Sequence, residues 1–152
     1  MKYRDLFFSY QGRISRKPFW IGNLIMFAVL MVLVTPLTLL IAFGGVNWGR
    51  RGAASISLVA FLILLYPWTA ILVKRMHDRD RPGILALLYV VPALLSEVSN
   101  VLGLTGDPER WTTLDYLLSA IMIAVVLWIL VEFGFMRGTP GPNRYGPDPL
   151  SQ

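Results

Sequence analysis

Residues 19–43 carry no charged side chain over 25 positions, and residues 53–73 carry none over 21. A helix needs roughly 20 apolar residues to cross the hydrocarbon core of a bilayer. A chain with two such runs must satisfy its backbone inside lipid, which leaves helices or a closed barrel. Unbroken apolar runs of this length lack the alternation of barrel strands and predict helices. Two further runs complete the set. Residues 84–104 are weaker, because Pro92 and Glu97 interrupt them after a clean apolar stretch over 84–95. They are expected to cross with Glu97 facing other helices; a run that stopped early would leave the two chain ends on opposite sides. Residues 114–136 carry Asp115 near their start and Glu132 near their end. Trp20 and Trp48 bracket the first run, where interfacial aromatics belong. The run behind the basic N-terminal segment is too long for a cleaved signal peptide.

The expected fold class is therefore all-α: a single polytopic membrane domain over residues 1–152 with four transmembrane helices. Charged residues make up 15% of the chain, against roughly 25% in soluble domains. The connecting pieces are an interfacial segment over 1–18, a charged loop over 74–83 and a Pro/Gly-rich tail over 137–152. Eleven of the 14 Lys and Arg residues fall in those three pieces; Arg50, Arg51 and Arg110 are the rest. Positive charge collects on the cytoplasmic side. The expectation is thus N- and C-termini in the cytoplasm, with the three basic pieces meeting on one face of an inner (plasma) membrane. The net charge of +5 belongs to juxtamembrane loops and predicts no nucleic-acid partner.

Three stretches then carry a resemblance. Gly12-Arg13-Ile14-Ser15-Arg16 is followed by Phe19-Trp20; Arg75-Met76-His77-Asp78 leads into Arg81 and Gly83; and the tail holds Gly141-Pro142-Asn143-Arg144-Tyr145-Gly146-Pro147-Asp148-Pro149. In this order and spacing they resemble the domain of unknown function 805 family of bacterial inner-membrane proteins, over nearly the whole chain. The resemblance implies a compact inner-membrane domain and no particular activity. The family pattern has a glycine, a serine and Gly-Trp after the His-Asp pair; here Asp80, Pro82 and Gly83-Ile84 stand in those places.

The charged stretches define candidate sites. Arg13, Arg16, Arg75, His77, Asp78 and Arg81 form a candidate ligand site, since arginine offers a planar fork of donors to phosphate or carboxylate. The competing structural reading pairs Arg75 with Asp78 one turn away and leaves a topological anchor. Lys17 shares the face with Arg13 and Arg16. Asn143, Tyr145, Gly146 and Asp148 are expected to form a clasp under the helices, with Asp148 accepting from Arg13, Arg16 or Arg75. Glu97 and Glu132 are candidate intramembrane acids. Glu132 is expected to meet Arg75, Arg81 or Arg137, and Glu97 to be protonated or to reach Arg50 or Arg51. Asp115 is expected near Arg110. No cofactor is expected. No metal site is expected either, because His77, Asp78, Asp80 and Asp148 hold the only histidine and the chain has no cysteine.

The leading expectation for function is a binding or accessory module for an anionic lipid headgroup or small phosphate-bearing ligand. The rival is an enzyme acting on a headgroup, with His77 as base and Asp78 orienting it; no known catalytic motif supports it. A third is a structural partner of another membrane protein, or of a second copy.

Overall fold

The structure is a computed structural model that describes residues 3–43, 49–106 and 109–151; Trp48, Asp107 and the Arg50 side chain lie outside the described residues. A short helix α1 (Tyr3–Phe8) precedes four long ones: α2 (Arg16–Phe43), α3 (Gly49–Asp78), α4 (Leu87–Leu102) and α5 (Thr113–Ile129). A 3₁₀ turn (Gly83–Ala86) leads into α4, and a π-helical turn (Leu130–Phe135) continues α5. No strand occurs among the described residues; the tail makes one isolated bridge between Asn143 and Gly146. Four helices are long and apolar enough to cross a membrane: Arg16–Leu40, Arg51–Asp78, Gly83–Leu102 and Thr113–Phe135.

Prolines do not break these helices. Pro36, Pro67 and Pro92 all sit inside continuous helix, so Pro92 does not interrupt the third span. That span stops at Gly103, which takes a left-handed conformation (φ 72°) as its cap. The first span begins at Arg16, three residues before its charge-free run. Pro18 falls in the first turn, where an N–H has no intrahelical acceptor to lose.

The largest departure is at 74–83. Half of the charged loop expected there is helix: Lys74–Asp78 form the last turn and a half of α3. Charge does not end the helix because each charged side chain finds a partner on another segment. Lys74 Nζ, for instance, donates to the Asp5 and Leu6 carbonyls and so ties α1 to α3. The helix ends one step later. Arg81 N donates to Met76 O (2.9 Å) and Asp80 N to His77 O (3.0 Å), around Asp80 at φ 55°. This is a Schellman ending with aspartate where glycine is usual. It gives a physical reason for the glycine that the family pattern has at this place.

α3 is the central helix. Of its most apolar window 39% is buried, against 6% for the corresponding windows of α2 and α5. The packed core lies almost entirely at the charged end of the bundle: Leu6, Ile14, Phe19, Ile71, Met76 and Phe133 are all buried there. Tyr10 fastens the N-terminal segment to α3 by a hydroxyl–hydroxyl bond to Thr69 (2.7 Å), with its ring edge-on to Tyr66. The opposite half exposes large apolar side chains such as Val32, Leu39, Ile63 and Ile123. In lipid such faces need no protein partner.

Candidate functional site

At the charged end α3 delivers two side chains one turn apart into the interior, Arg75 and Asp78. Arg13, from the connection between α1 and α2, enters from the other side. Arg13 Nε and Nη2 approach Asp78 Oδ1 at 3.2 and 3.1 Å, and Arg75 Nη1 bonds Asp78 Oδ2. The side chains of Arg13, Arg75 and Asp78 retain 1%, 0% and 4% of their exposure. One carboxylate cannot neutralise two guanidinium groups, so backbone carbonyls supply the rest.

Arg75 donates to Phe133 O (2.6 Å), Met136 O (2.6 Å) and Ile14 O (3.3 Å). Arg13 donates to Thr139 O (2.7 Å), Gly141 O (2.7 Å) and Gly146 O (3.3 Å). The last carbonyls of a helix have no intrahelical partner and carry the negative end of its dipole. Here the five carbonyls from Phe133 to Arg137 are all taken by foreign side chains: Arg75 at 133 and 136, Trp20 at 134, Arg16 at 135 and Arg79 at 137. The π turn brings this row of acceptors against α2 and α3.

Two glycines permit the approach. A Cβ on Gly134 would stand 2.9 Å from the Trp20 ring, and one on Gly138 would overlap the Asp78 carboxylate. The tail then closes over the cluster. Thr139 N donates to Asp78 O (2.8 Å), Asn143 Nδ2 donates to His77 O (2.9 Å), and the Tyr145 ring stacks on His77 at 3.8 Å.

Among the sequence-predicted site residues, Arg13, Arg75 and Asp78 meet, and every one of their charged groups is engaged within the protein. Asp78 is bonded to the two arginines and not to His77, whose Nδ1 lies 3.2 Å from Gly12 O. The expected orientation of His77 by Asp78 is therefore absent, because the guanidinium groups outcompete a neutral ring for the carboxylate. Arg81 lies 3.8 Å from Glu132 and Arg79 lies 2.9 Å from it, so Glu132 pairs with α3's end and with neither Arg75 nor Arg137. Asp148 takes no arginine; it accepts from Gly141 N (3.0 Å) and Leu150 N (2.9 Å), which close the tail on itself. Asp115 forms a capping box with Thr112 at the start of α5. Glu97 is half-buried on α4 and makes no ion pair among the described residues, while Arg51 packs over Gly103. No group of three acids or histidines able to hold a metal ion occurs among the described residues.

Beside the buried cluster lies an open cleft of about 220 Å³, with Arg75 and Asp78 at its back. Its rim holds Ser15, Arg16, Lys17, Arg137, Gly138 and Asp148. Arg16 gives one bond, to Phe135 O at 3.2 Å, while the exposed Lys17 and Arg137 side chains make none among the described residues. Sequence reasoning placed Arg16 and Lys17 near a site but missed Arg137, Gly138 and Thr139. Their only sequence signal is the position directly after the fourth span.

The two amides hold the Asp148 carboxyl below its ordinary value of 3.8. A depressed carboxyl stabilises the folded tail above the unfolded value, and that contribution is lost as pH falls through the folded one. The Gly141 and Leu150 amides are therefore expected to keep their hydrogen-exchange protection down to pH 3.8 and to lose it only below. Asp148→Asn should remove that dependence.

Helices of this length, exposed apolar flanks and a tightly packed charged end define a four-span integral membrane protein whose signature residues hold its own backbone together. The chain belongs to the family described as Protein of unknown function (DUF805), whose model matches residues 7–147. It is 31% identical over 148 residues to the uncharacterized protein YiiR of Escherichia coli (strain K12), covering 97% of this chain and 90% of that one. It is also similar to the inner membrane proteins YhaH (28%, covering 93% of this chain and 87% of that one) and YhaI (26%, 93% and 86%) of the same strain. No solved structure matches the chain. It is a multi-pass inner-membrane protein.

Proposed function

We propose that the protein is a binding module whose cleft holds an anionic, phosphate-bearing headgroup at the cytoplasmic surface of the membrane. The observation that carries this reading is the set of cations left over. Arg13 and Arg75 spend their donors on the protein, whereas Arg16, Lys17 and Arg137 line an open cleft with most of theirs uncommitted. Clustered Lys and Arg at headgroup depth attract anionic lipid, by about 1 kcal/mol for each charge. The cytoplasmic assignment rests on the distribution of Lys and Arg along the chain.

Native mass spectrometry in mild detergent tests it, with the wild type beside Arg16→Ala/Lys17→Ala/Arg137→Ala. The wild type is expected to retain phosphatidylglycerol at least about tenfold more than the variant does. Equal, generic lipid on both would refute the reading. These three residues are the correct probes, because Arg75→Ala or Asp78→Ala would remove the fold's own cross-links.

A further inference from the structure

A second cavity, of about 200 Å³, lies on the membrane side of the cleft. All four spans contribute to it, through Trp20 and Asn23 of α2, Trp68 of α3, Tyr89 of α4, and Val126 and Ile129 of α5. Its walls are nearly all carbon. Trp68 Nε1 is used up on Asn23 Oδ1 (3.0 Å), and Asn23 Nδ2 on Phe19 O (2.8 Å). Tyr89 is half-buried against this wall.

The chamber is open sideways. α5 packs on α4, and only its π continuation comes within 8 Å (Cα–Cα) of α2 and α3 among the described residues. α2 and α5 are joined at the charged end and part beyond it, with the chamber at the apex. An apolar chamber at that depth, open to lipid, suits a hydrocarbon chain better than water, which needs two or more polar partners.

Cleft and chamber also share one joint. Arg16 bonds Phe135 O on the cleft side, and Trp20, one turn along α2, bonds Gly134 O on the chamber side. Four residues of helix separate them by about 6 Å, roughly the step from a lipid's phosphate to the start of its chains.

We infer that the chamber holds one acyl chain of the same lipid whose phosphate occupies the cleft, so that the ligand is an intact anionic glycerophospholipid and not a soluble phosphate compound. The inference rests on the headgroup reading above.

The test uses phosphatidylglycerol carrying a diazirine on one acyl chain, photolysed in nanodiscs with the full-length protein. Adducts are mapped by peptide mass spectrometry. In the wild type they are expected to concentrate on Leu72, Tyr89, Val126 and Ile129, about tenfold over the lipid-facing Val32, Leu39 and Ile123. They should fall by a similar factor in Arg16→Ala/Lys17→Ala/Arg137→Ala, and in Val126→Trp, which fills the chamber. Adducts spread evenly along the outer faces of α2 and α5 would overturn the chain site. Adducts that stay in the chamber when the three cations are removed would keep the chain site and overturn the headgroup reading. The wild-type map needs no variant to fold.

Discussion

Replacing Asp78 with alanine is expected to destabilise the protein by about 3–5 kcal/mol, because breaking a buried ion pair strands its partner charge. Two guanidinium groups are stranded here. Arg13 and Arg75 are both nearly sealed from solvent and share the two oxygens of Asp78. An exposed pair such as Arg144–Asp80, with its side chains 57% and 46% accessible, is worth only about 0–1 kcal/mol. Asp80→Asn, which loses the carboxylate's charge but keeps a residue that tolerates the left-handed conformation at φ 55°, therefore serves as the exposed control. Thermal unfolding in detergent, followed by near-ultraviolet circular dichroism, checks both. An Asp78→Ala protein no less stable than Asp80→Asn would mean that water reaches the cluster and screens it.

The second large effect is expected from the smallest residue in the cluster. Gly138→Ala should cost about 3 kcal/mol, at the upper end for forcing an extra carbon into a packed site. The new Cβ would occupy the space of the Asp78 carboxylate. That carboxylate cannot move aside without releasing Arg13 or Arg75. Removing the carboxylate removes the collision, so in an Asp78→Ala background Gly138→Ala should add almost nothing. Contacting residues couple in this way, whereas distant ones add. Strict additivity of the two substitutions would show that the glycine matters for its backbone and not for the space it leaves.

The four spans were legible because lipid imposes a coarse rule: charge-free runs of sufficient length must be helices. The cluster of Arg13, Arg75 and Asp78 was also visible, as charges that topology brings to one end. What they bond to was not. Phe133, Ile14, Met136, Thr139 and Gly141 accept through main-chain carbonyls. Every residue type carries a carbonyl, so nothing in the sequence marks these five as partners. Their absence from a side-chain reading is what made Arg75 look available to a ligand. The first half of the loop expected over 74–83 is helix for the same reason, since Lys74 is held by the carbonyls of Asp5 and Leu6. The π turn left no compositional trace, and Gly138 read as turn chemistry when its use is the volume it leaves for Asp78. Arg16 and Lys17, which line the cleft, were named from the sequence because it displays charge directly.

The row of borrowed caps on residues 133–137 bears on how such a chain is made. Arg13, Arg75 and Asp78 leave the ribosome long before the carbonyls at 133, 136, 139 and 141 that are to receive their protons. Until residues 133–141 emerge, two cations at the rim of the bundle have one carboxylate and the Ile14 carbonyl between them, and otherwise only water or lipid phosphate. The native arrangement is thus closed only when residues 133–141 are in place. A nascent chain halted after its fourth span would hold helices in the bilayer with its central joint unmade, in a form that membrane quality control could recognise by the loose arginines.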